Sequence, residues 1–289
     1  MMEIKQYNEI PAVYAIGDIH GEFKGLKHWL KTYGLTNAGV ICCGDVGLGF
    51  DGLAKTKIDL QPLEKYCSEN NVHCFFIRGN HDNPAWYKED KLGFEHIHPV
   101  KDYTILSFAK MNVLCIGGAV SIDRKLRQEA FKEDIYNNMR KKHYTSYEIA
   151  KAHTKQYWWE DEAVVYNENA LNDIAGNKIK IDVVCSHASP SFCYPLTSSR
   201  LQDWCAVDET LENDVKEDRE NLTKVFTFLK EHNNKPQKWF YGHYHEYNTD
   251  VNEGCTFILL DMARQSKRKN SPPGQLIYAM EVLLEGKCK

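Results

Sequence analysis

The stretch Val13-Tyr14-Ala15-Ile16-Gly17-Asp18-Ile19-His20-Gly21 is a short apolar run that ends in a carboxylate and an imidazole. The first four residues are typical of a buried strand, which the glycine then interrupts. The same change from apolar run to polar loop recurs at four further segments: Gly44-Asp45, Gly79-Asn80-His81-Asp82, Ser186-His187 and Gly242-His243-Tyr244-His245. Because the carboxyl ends of parallel strands meet at one edge of a sheet, we expect these polar side chains to converge.

The polar residues of the five segments have the chemistry of metal ligands. Asp18 and His20 are separated by one residue, so on an extended strand end both side chains point to the same side and can hold one metal. His243 and His245 have the same spacing. Single ligands are expected after three other apolar runs: Asp45, Asn80 and His187. This mixture of oxygen and imidazole suits manganese, iron or zinc, and the absence of cysteine from the segments argues against a closed structural zinc site.

In their order along the chain, the five segments resemble the signature of the calcineurin-like metallophosphoesterases: D-x-H, G-D, G-N-H-[DE], a lone histidine and G-H-x-H. The resemblance implies two divalent metal ions, with manganese first and iron, zinc or nickel as alternatives. It implies one set of four ligands: Asp18, His20, Asp45 and His245. It implies a second set that shares the bridging carboxylate: Asp45, Asn80, His187 and His243. His81 would lie beside the metals and protonate the leaving group or stabilise the transition state, so His81 and Asp45 are the expected catalytic residues.

Charge explains why such a ligand set suits a phosphate ester. Two divalent ions ~3.5 to 4 Å apart lower the pKa of a shared water towards ~7, so that hydroxide forms near neutral pH. Two carboxylate ligands and the hydroxide leave the centre with a net positive charge, which attracts a phosphate oxyanion. Hydroxide is expected to attack phosphorus in line, and His81 to give a proton to the departing alkoxide.

One position departs from the family pattern, which in many members continues as G-D-x-x-[DR]. The three residues after Asp45 carry neither an acid nor an arginine, so the group that would orient His81 is not identified. Asp51, Asp82 or a backbone carbonyl could take that place.

The segments Gly17–Gly21 and Arg78–His81 also resemble the PPP-type protein phosphatases and the bacterial dinucleotide-tetraphosphate hydrolases. The next element does not, because G-D-x-V-D-R-G is replaced by Gly44-Asp45-Val46-Gly47-Leu48-Gly49. The runs Gly117–Arg124 and Ser186–Phe192 instead resemble uncharacterised bacterial and phage phosphoesterases. The resemblance therefore implies no particular substrate.

Three arginines are candidates for binding the phosphate, because a guanidinium offers paired donors to its oxygens: Arg78, Arg124 and Arg264. For Arg78 a structural ion pair is the alternative. Trp158 and Trp159 could stack on a base or an aromatic leaving group, although at least one is expected in the core. The segment from Arg124 to Glu160 matches no metal motif, and we expect it to be a lid or specificity insert, whose deletion changes substrate preference while metal binding survives.

Length and composition fit a single domain over residues 1–289. A hydrophobic content of 43% is enough for a large core, and no clear linker divides the chain. The net charge of −4 gives no strong nucleic-acid signature. The stretch Ile122–His143 is locally basic, which is more typical of a solvated helical face than of a binding patch.

The cysteines indicate a reducing compartment. Six of the ten lie within apolar runs, as expected of buried free thiols: Cys42, Cys43, Cys74, Cys115, Cys185 and Cys255. The amino terminus lacks the apolar core of a signal peptide, and no run approaches the ~18 apolar residues that cross a membrane. These features predict a cytoplasmic protein without a membrane partner, and they do not specify an oligomeric state.

The order of the apolar runs predicts an α+β fold. Strands and helices alternate at first, and a hairpin is then expected over residues 103–116. A helix is predicted over Asp161–Ile174, before the strand that presents His187. Three strands are expected to complete a second sheet: Trp239–Tyr241, Thr256–Leu260 and Gln275–Leu283. Two sheets packed face to face with helices outside would result, and the resemblance implies a four-layer α/β/β/α sandwich of two mixed sheets.

Three functions are compatible with these features. The leading one is a phosphomonoesterase acting on a phosphoprotein or a small phosphate ester. The first alternative is a phosphodiesterase or nuclease, which the paired histidines of G-H-x-H and the missing G-D-x-x-D-R element allow. The alternative of another class is a metal-binding scaffold without turnover.

Overall fold

Parallel strands that alternate with helices build the first part of the chain, as the apolar runs predict. The computed structural model describes residues 2–109, 111–196, 199–262 and 277–278. The strands are β1 Ile4–Tyr7, β2 Ala12–Ile16, β3 Ala38–Cys42, β4 Val72–Phe76, β5 Ile97–Pro99, β6 Thr104–Phe108, β7 Met111–Ile116, β8 Val183–Ser186, β9 Lys238–Tyr241, β10 Asn248–Asn252, β11 Cys255–Leu259 and β12 Ile277–Tyr278. The helices are α1 Phe23–Thr32, α2 Leu53–Asn70, α3 Ala85–Lys88, α4 Arg124–Lys142, α5 Tyr147–Ala152, α6 Glu168–Gly176, α7 Ser199–Cys205 and α8 Leu211–Glu231.

Two mixed sheets contain these strands. The five-stranded sheet has the order β12-β2-β3-β4-β5, and the seven-stranded sheet has the order β1-β6-β7-β8-β9-β11-β10. Strands β2 to β5 run parallel, as do β7, β8 and β9, whereas β6 and β7 form the predicted antiparallel hairpin. Five of the parallel strands lead directly into the segments with predicted ligands: β2, β3, β4, β8 and β9. Those segments therefore meet at one edge of the sandwich.

Three apolar clusters hold the layers together. The central cluster contains residues of both sheets, among them Val13, Ile41, Phe75, Val113 and Phe240. A second cluster packs the other face of the five-stranded sheet against α1 and α2, and a third packs the seven-stranded sheet against α6 and α8. This arrangement confirms the predicted four-layer α/β/β/α sandwich.

The helix predicted over Asp161–Ile174 begins later than expected, at the first residue of α6. Asn167 caps it, because Asn167 Oδ1 accepts the backbone N–H of Ala170. The residues before the cap cannot continue the helix, since the guanidinium of Arg78 binds the backbone carbonyls of residues 161–163. A contact that is distant in sequence thus overrides the local helical pattern.

The last predicted strand joins the other sheet. The apolar pattern predicts Gln275–Leu283 in the second sheet, but β12 pairs antiparallel with β2 of the five-stranded sheet. Only residues 277–278 of that prediction lie within the described part of the chain. Strands β1, β5 and β10 were not predicted, and all three are edge strands. Edge strands are short and partly polar, so apolar patterning identifies them poorly.

A stack of imidazoles at the edge of the five-stranded sheet makes acid stability testable. His73 Nδ1 lies 3.0 Å from His98 Nε2, and the two rings are stacked with centroids 5.4 Å apart. Burial, followed by the charge of His73, lowers the pKa of His98 to about 4. The folded-state pKa of His98 lies below the histidine pKa of the unfolded chain, which is about 6.5. The contribution of His98 to the free energy of unfolding is therefore fully present above about pH 6.5. The contribution is lost as the pH falls from 6.5 towards 4.

We expect His98→Gln to reduce the acid-dependent loss of unfolding free energy by on the order of 1 to 3 kcal/mol over this pH range. Urea denaturation of wild type and variant at matched pH values measures the difference. Replacement of the exposed His28 by glutamine is the control. Identical pH slopes for wild type and His98→Gln would contradict the expectation.

Candidate metal centre

The structure brings the seven predicted ligands to one edge of the sandwich. One group has its ligand atoms within 4.8 Å of one another: Asp18, His20, Asp45 and His245. A second group meets the same limit: Asp45, His187 and His243. Asn80 adjoins the second group, with its Oδ1 3.0 Å from His187 Nε2. The protein therefore has aspartate and histidine groups able to bind metal, and the two groups share the carboxylate of Asp45.

The backbone of these segments is turned and not extended, contrary to the same-side argument. His20, Asp45, His243 and His245 have φ angles of 48°, 47°, 72° and 55°, in the left-handed region that residues other than glycine rarely adopt. His243 and His245 consequently fall in different groups, which agrees with the ligand sets that the resemblance implies and not with a shared metal for two histidines of this spacing. Four such conformations among seven candidate ligands are typical of a functional site.

Two glycines make room for the candidate ligands. A Cβ atom on Gly44 would lie 2.1 Å from His187 Nδ1, and one on Gly242 would lie 2.2 Å from Asp18 Oδ1. Neither position accepts a larger residue unless the adjacent side chain moves. The glycines that precede Asp45 and His243 are therefore packing requirements as well as turn formers.

Two buried carboxylates give the centre its charge. Asp18 and Asp45 are only 1% and 2% exposed, and no lysine or arginine of the described residues forms an ion pair with either. Asp18 Oδ2 makes no hydrogen bond with good geometry to any described residue, although His245 Nε2 lies 3.0 Å away. Buried anions need a compensating cation, so this donor set fits a divalent metal ion.

His187 shows how the protein alone balances that charge. Burial disfavours the imidazolium, but the nearby Asp45 and Asp18 outweigh burial and raise the pKa of His187 to about 10. Binding of a metal ion would replace this positive charge and release the proton. His187 Nδ1 donates to the carbonyl oxygen of Cys43 at 2.8 Å, which leaves Nε2 facing Asp45 and Asn80. A histidine ligand needs this orientation.

His81 lies beside the shared carboxylate. Its backbone N–H donates to Asp45 Oδ1 at 2.8 Å, and its Nε2 lies 3.9 Å from Asp45 Oδ2. Phe50 contacts the imidazole edge-on, and Arg127 Nη2 donates to Nε2 at 2.8 Å. Burial, opposed by Asp45 and assisted by Arg127, lowers the pKa of His81 to about 4. Without substrate the imidazole is therefore neutral at neutral pH.

Neither predicted carboxylate orients His81. Asp82 is fully buried and accepts the backbone N–H groups of four residues: Val46, Gly47, Leu48 and Gly79. It thereby fixes the two loops that carry Asp45 and His81 relative to each other. Asp51 forms its ion pairs with surface lysines.

The arginines predicted to bind phosphate are engaged elsewhere. Arg78 is 3% exposed, pairs with Asp102 and donates to backbone carbonyls of residues 117 and 161–163. Arg124 pairs with two carboxylates next to and within α8 and so joins α4 to it. The protein itself uses their donors, so the structure places both side chains in structural contacts, which for Arg78 is the alternative that the sequence also allows. Arg264 lies outside the described residues.

Among the arginines in the described part of the chain, Arg127 is the one that contacts His81, and the sequence does not single it out. Its Nε pairs with Asp123 at 2.7 Å, and its Nη1 donates to the carbonyl oxygen of Tyr157 at 3.3 Å. These contacts direct the guanidinium at His81. In the sequence Arg127 is one of several basic residues in a polar helix, and only the packing of α4 distinguishes it from the others.

The segment 124–160 folds as α4, α5 and a loop that reaches the centre. Trp159 is 6% exposed and stacks on Phe50, with centroids 5.6 Å apart, so the expectation that one tryptophan is buried is confirmed. Tyr157 also contacts Phe50. A cleft of about 690 Å³ lies between residues 49–52 and residues 148–156. The segment therefore lines a cleft beside the loop that follows Asp45.

The described cysteines are all free, and the six predicted buried thiols are buried. Among the described helices, none combines the length and apolar character needed to cross a bilayer.

Several solved structures are similar to this chain at low identity. The phosphopantetheinyl hydrolase of Mycobacterium tuberculosis is 13% identical, with a TM-score of 0.42 over 94% of this chain and 97% of that one. A putative 5′-nucleotidase of Staphylococcus aureus is 12% identical, with a TM-score of 0.42 over 92% and 52%. A protein serine/threonine phosphatase of Saccharomyces cerevisiae is 14% identical, with a TM-score of 0.35 over 90% and 71%. No curated protein matches the chain.

The family model described as calcineurin-like phosphoesterase matches residues 11–247, which include every candidate ligand. The chain belongs to the calcineurin-like phosphoesterases, hydrolases that act on phosphate ester bonds.

Proposed function

We propose that this chain is a binuclear metal-dependent phosphomonoesterase. One ion would be held by Asp18, His20, Asp45 and His245. The other would be held by Asp45, Asn80, His187 and His243. The observation that carries the proposal is that two ligand groups share Asp45 where no described lysine or arginine pairs with the buried carboxylates.

The chain's own residues supply the rest of the chemistry. When bound, the ions supply Lewis-acid charge and activate water as the nucleophile. Arg127 would turn from His81 to the phosphate, because a phosphate oxygen is a stronger acceptor for a guanidinium than a neutral imidazole is. His81 is then free to donate a proton to the oxygen of the leaving group.

Monoester hydrolysis is favoured by the positive charge beside the centre. A phosphomonoester dianion carries more negative charge than a diester, so Arg127 stabilises it more strongly. The contact between Arg127 and His81 therefore supports a phosphatase over the alternative, a phosphodiesterase or nuclease.

Hydrolysis of p-nitrophenyl phosphate and of its bis-ester tests the proposal, with metal-stripped protein resupplied with manganese. We expect metal-dependent turnover that is faster with the monoester. Faster turnover of the bis-ester would replace the proposal with a phosphodiesterase. If the protein bound two ions but hydrolysed neither these nor other phosphate esters, the remaining function would be a metal-binding scaffold without turnover.

Arg127→Ala is expected to lower kcat/KM for p-nitrophenyl phosphate by roughly 10- to 100-fold, since a charged hydrogen bond is worth about 1.5 to 3 kcal/mol. Steady-state kinetics measure the loss, and Arg127→Lys should recover only part of it because lysine lacks the paired donors. Arg140→Ala, at the exposed end of the same helix, is the matched control. An unchanged kcat/KM in Arg127→Ala would exclude Arg127 as the phosphate-binding group.

The segment 124–160 would act as a specificity insert within a single domain. Tyr157 and Trp159 pack on Phe50, whose ring contacts His81, so the insert lies where a leaving group would depart. We expect Tyr157→Ala to change the ratio of kcat/KM for p-nitrophenyl phosphate and glycerol phosphate by about 2- to 10-fold, with unchanged manganese affinity. Tyr136→Ala, on an exposed face of the insert, should leave the ratio unchanged. If Tyr157→Ala, like Tyr136→Ala, kept the wild-type ratio of kcat/KM for the two esters, the result would count against the insert as a specificity element.

Manganese is the metal we propose for the centre, because mixed carboxylate, amide and imidazole ligands suit it. The buried free thiols support a reducing, cytoplasmic location.

A further inference from the structure

Ser121 links a candidate metal ligand to a buried carboxylate that the proposed chemistry does not use. Asn80 Nδ2 donates to Ser121 Oγ at 2.9 Å. Ser121 Oγ donates to Glu162 Oε2 at 2.8 Å, and Ser121 N donates to Glu162 Oε1 at 2.7 Å. The three residues are 3%, 1% and 3% exposed, so water does not compete for these hydrogen bonds.

The carboxylate sets the direction of this chain of hydrogen bonds. Above its pKa of about 7, Glu162 is ionised and only accepts hydrogen bonds, so the hydroxyl proton of Ser121 points towards it. Ser121 Oγ is then an acceptor for Asn80, which places the NH₂ group of the amide on that side. The amide oxygen must face the opposite way, and it lies 3.0 Å from His187 Nε2. The two ends of an amide have nearly the same shape, so hydrogen bonding selects between them.

Backbone contacts hold Glu162 in this place. Its carbonyl oxygen accepts hydrogen bonds from Arg78 Nη1 and from the backbone N–H of Ala119, and its own N–H donates to the carbonyl of Trp159. Burial, opposed by the hydrogen bonds from Ser121, raises the pKa of Glu162 to about 7. An apolar residue would avoid the cost of burying this carboxylate, so its presence calls for a role.

We propose that Glu162 is a positioning residue that acts through Ser121 to present Asn80 Oδ1, and not its NH₂ group, to the second metal ion. This inference rests on the proposed function, because it takes Asn80 as a ligand of that ion. Such partners of metal ligands typically alter affinity by about 10- to 100-fold.

Glu162→Gln keeps the shape of the side chain and reverses the hydrogen bonds. The new amide accepts from Ser121 N and donates to Ser121 Oγ, so the hydroxyl donates to Asn80 and the Asn80 amide turns over. Calorimetric titration of metal-stripped protein with manganese should show the second ion bound about 10- to 100-fold more weakly, with the first little changed. Glu160→Gln, an exposed neighbour, is the control and should match wild type.

The Asn80→Asp background distinguishes an effect of hydrogen-bond direction from an effect of packing. A carboxylate at position 80 accepts from Ser121 and cannot donate, so it competes with Glu162 for one hydroxyl proton. Adding Glu162→Gln removes that competition, because the hydroxyl can then accept from the glutamine and donate to the new carboxylate. We therefore expect Glu162→Gln to lower the affinity for the second manganese ion in the wild-type background and to raise that affinity in the Asn80→Asp background. Weakening in both backgrounds would overturn the inference.

Ser121→Ala keeps the inference testable if Glu162→Gln does not fold. Loss of the hydroxyl should lower the affinity for the second manganese ion by a similar factor. An unchanged affinity for that ion in either folded variant overturns the inference. Two bound ions without ester hydrolysis by wild type would refute the proposed function alone, since manganese affinity still tests Glu162. Fewer than two ions bound by wild type would overturn both.

Discussion

Asp45→Asn is expected to lower the metal-dependent kcat/KM for p-nitrophenyl phosphate by at least about 10³-fold. The substitution removes the negative charge that both ligand groups share. It leaves the local structure intact, because asparagine tolerates the left-handed φ of 47° at this position. Its side-chain oxygen can still accept the backbone N–H of His81. Metal ions supply several kcal/mol of transition-state stabilisation, so loss of the shared ligand removes most of the rate.

Steady-state kinetics with manganese, together with the metal content per chain, measure this effect. Asp51→Asn is the control, because Asp51 lies on the loop after Asp45 and pairs only with surface lysines in the described structure. The control should keep both turnover and two ions. Undiminished turnover in Asp45→Asn would exclude Asp45 as the shared ligand.

The candidate ligands could be predicted because each one follows an apolar run, and because parallel strands bring such positions together. Their distribution between the two groups could not be predicted from spacing. His243 and His245 lie two residues apart, which on an extended strand would place them side by side, but positive φ angles turn the backbone between them. Spacing alone does not specify those angles.

The residues around the ligands depend on contacts between distant segments. Arg78 was a reasonable candidate for phosphate, but Asp102 and the carbonyls of residues 161–163 occupy its donors. Arg127 reaches His81 because Asp123 and the carbonyl oxygen of Tyr157, 30 residues away along the chain, hold its guanidinium. Glu162 lies within the segment Asp161–Ile174, whose apolar pattern predicts a helix and no role at the centre. No pattern near these residues indicates such contacts, so the sequence could supply the ligands without their surroundings.

His81→Asn is expected to lower kcat by about 10²- to 10⁴-fold for an alkyl ester such as glycerol phosphate, and by less for p-nitrophenyl phosphate. An alkoxide needs a proton in order to leave, whereas p-nitrophenolate departs without one. The pKa of His81 is lowered to about 4 in the free protein. Protonation must therefore accompany substrate binding, and the negative charge of a bound phosphate raises the pKa of a nearby histidine.

Comparison of the two esters separates proton transfer from charge stabilisation. Arg127 would bind the phosphate that both esters contain, so Arg127→Ala should lower kcat/KM by the same factor for each. His81→Asn should instead discriminate between them, because its effect depends on the leaving group. If His81→Asn lowered both rates equally, His81 would act on the phosphate oxygens, as Arg127 does, and the leaving group would have to take its proton from water. Unequal losses in His81→Asn alone would assign the proton to His81 and the charge to Arg127.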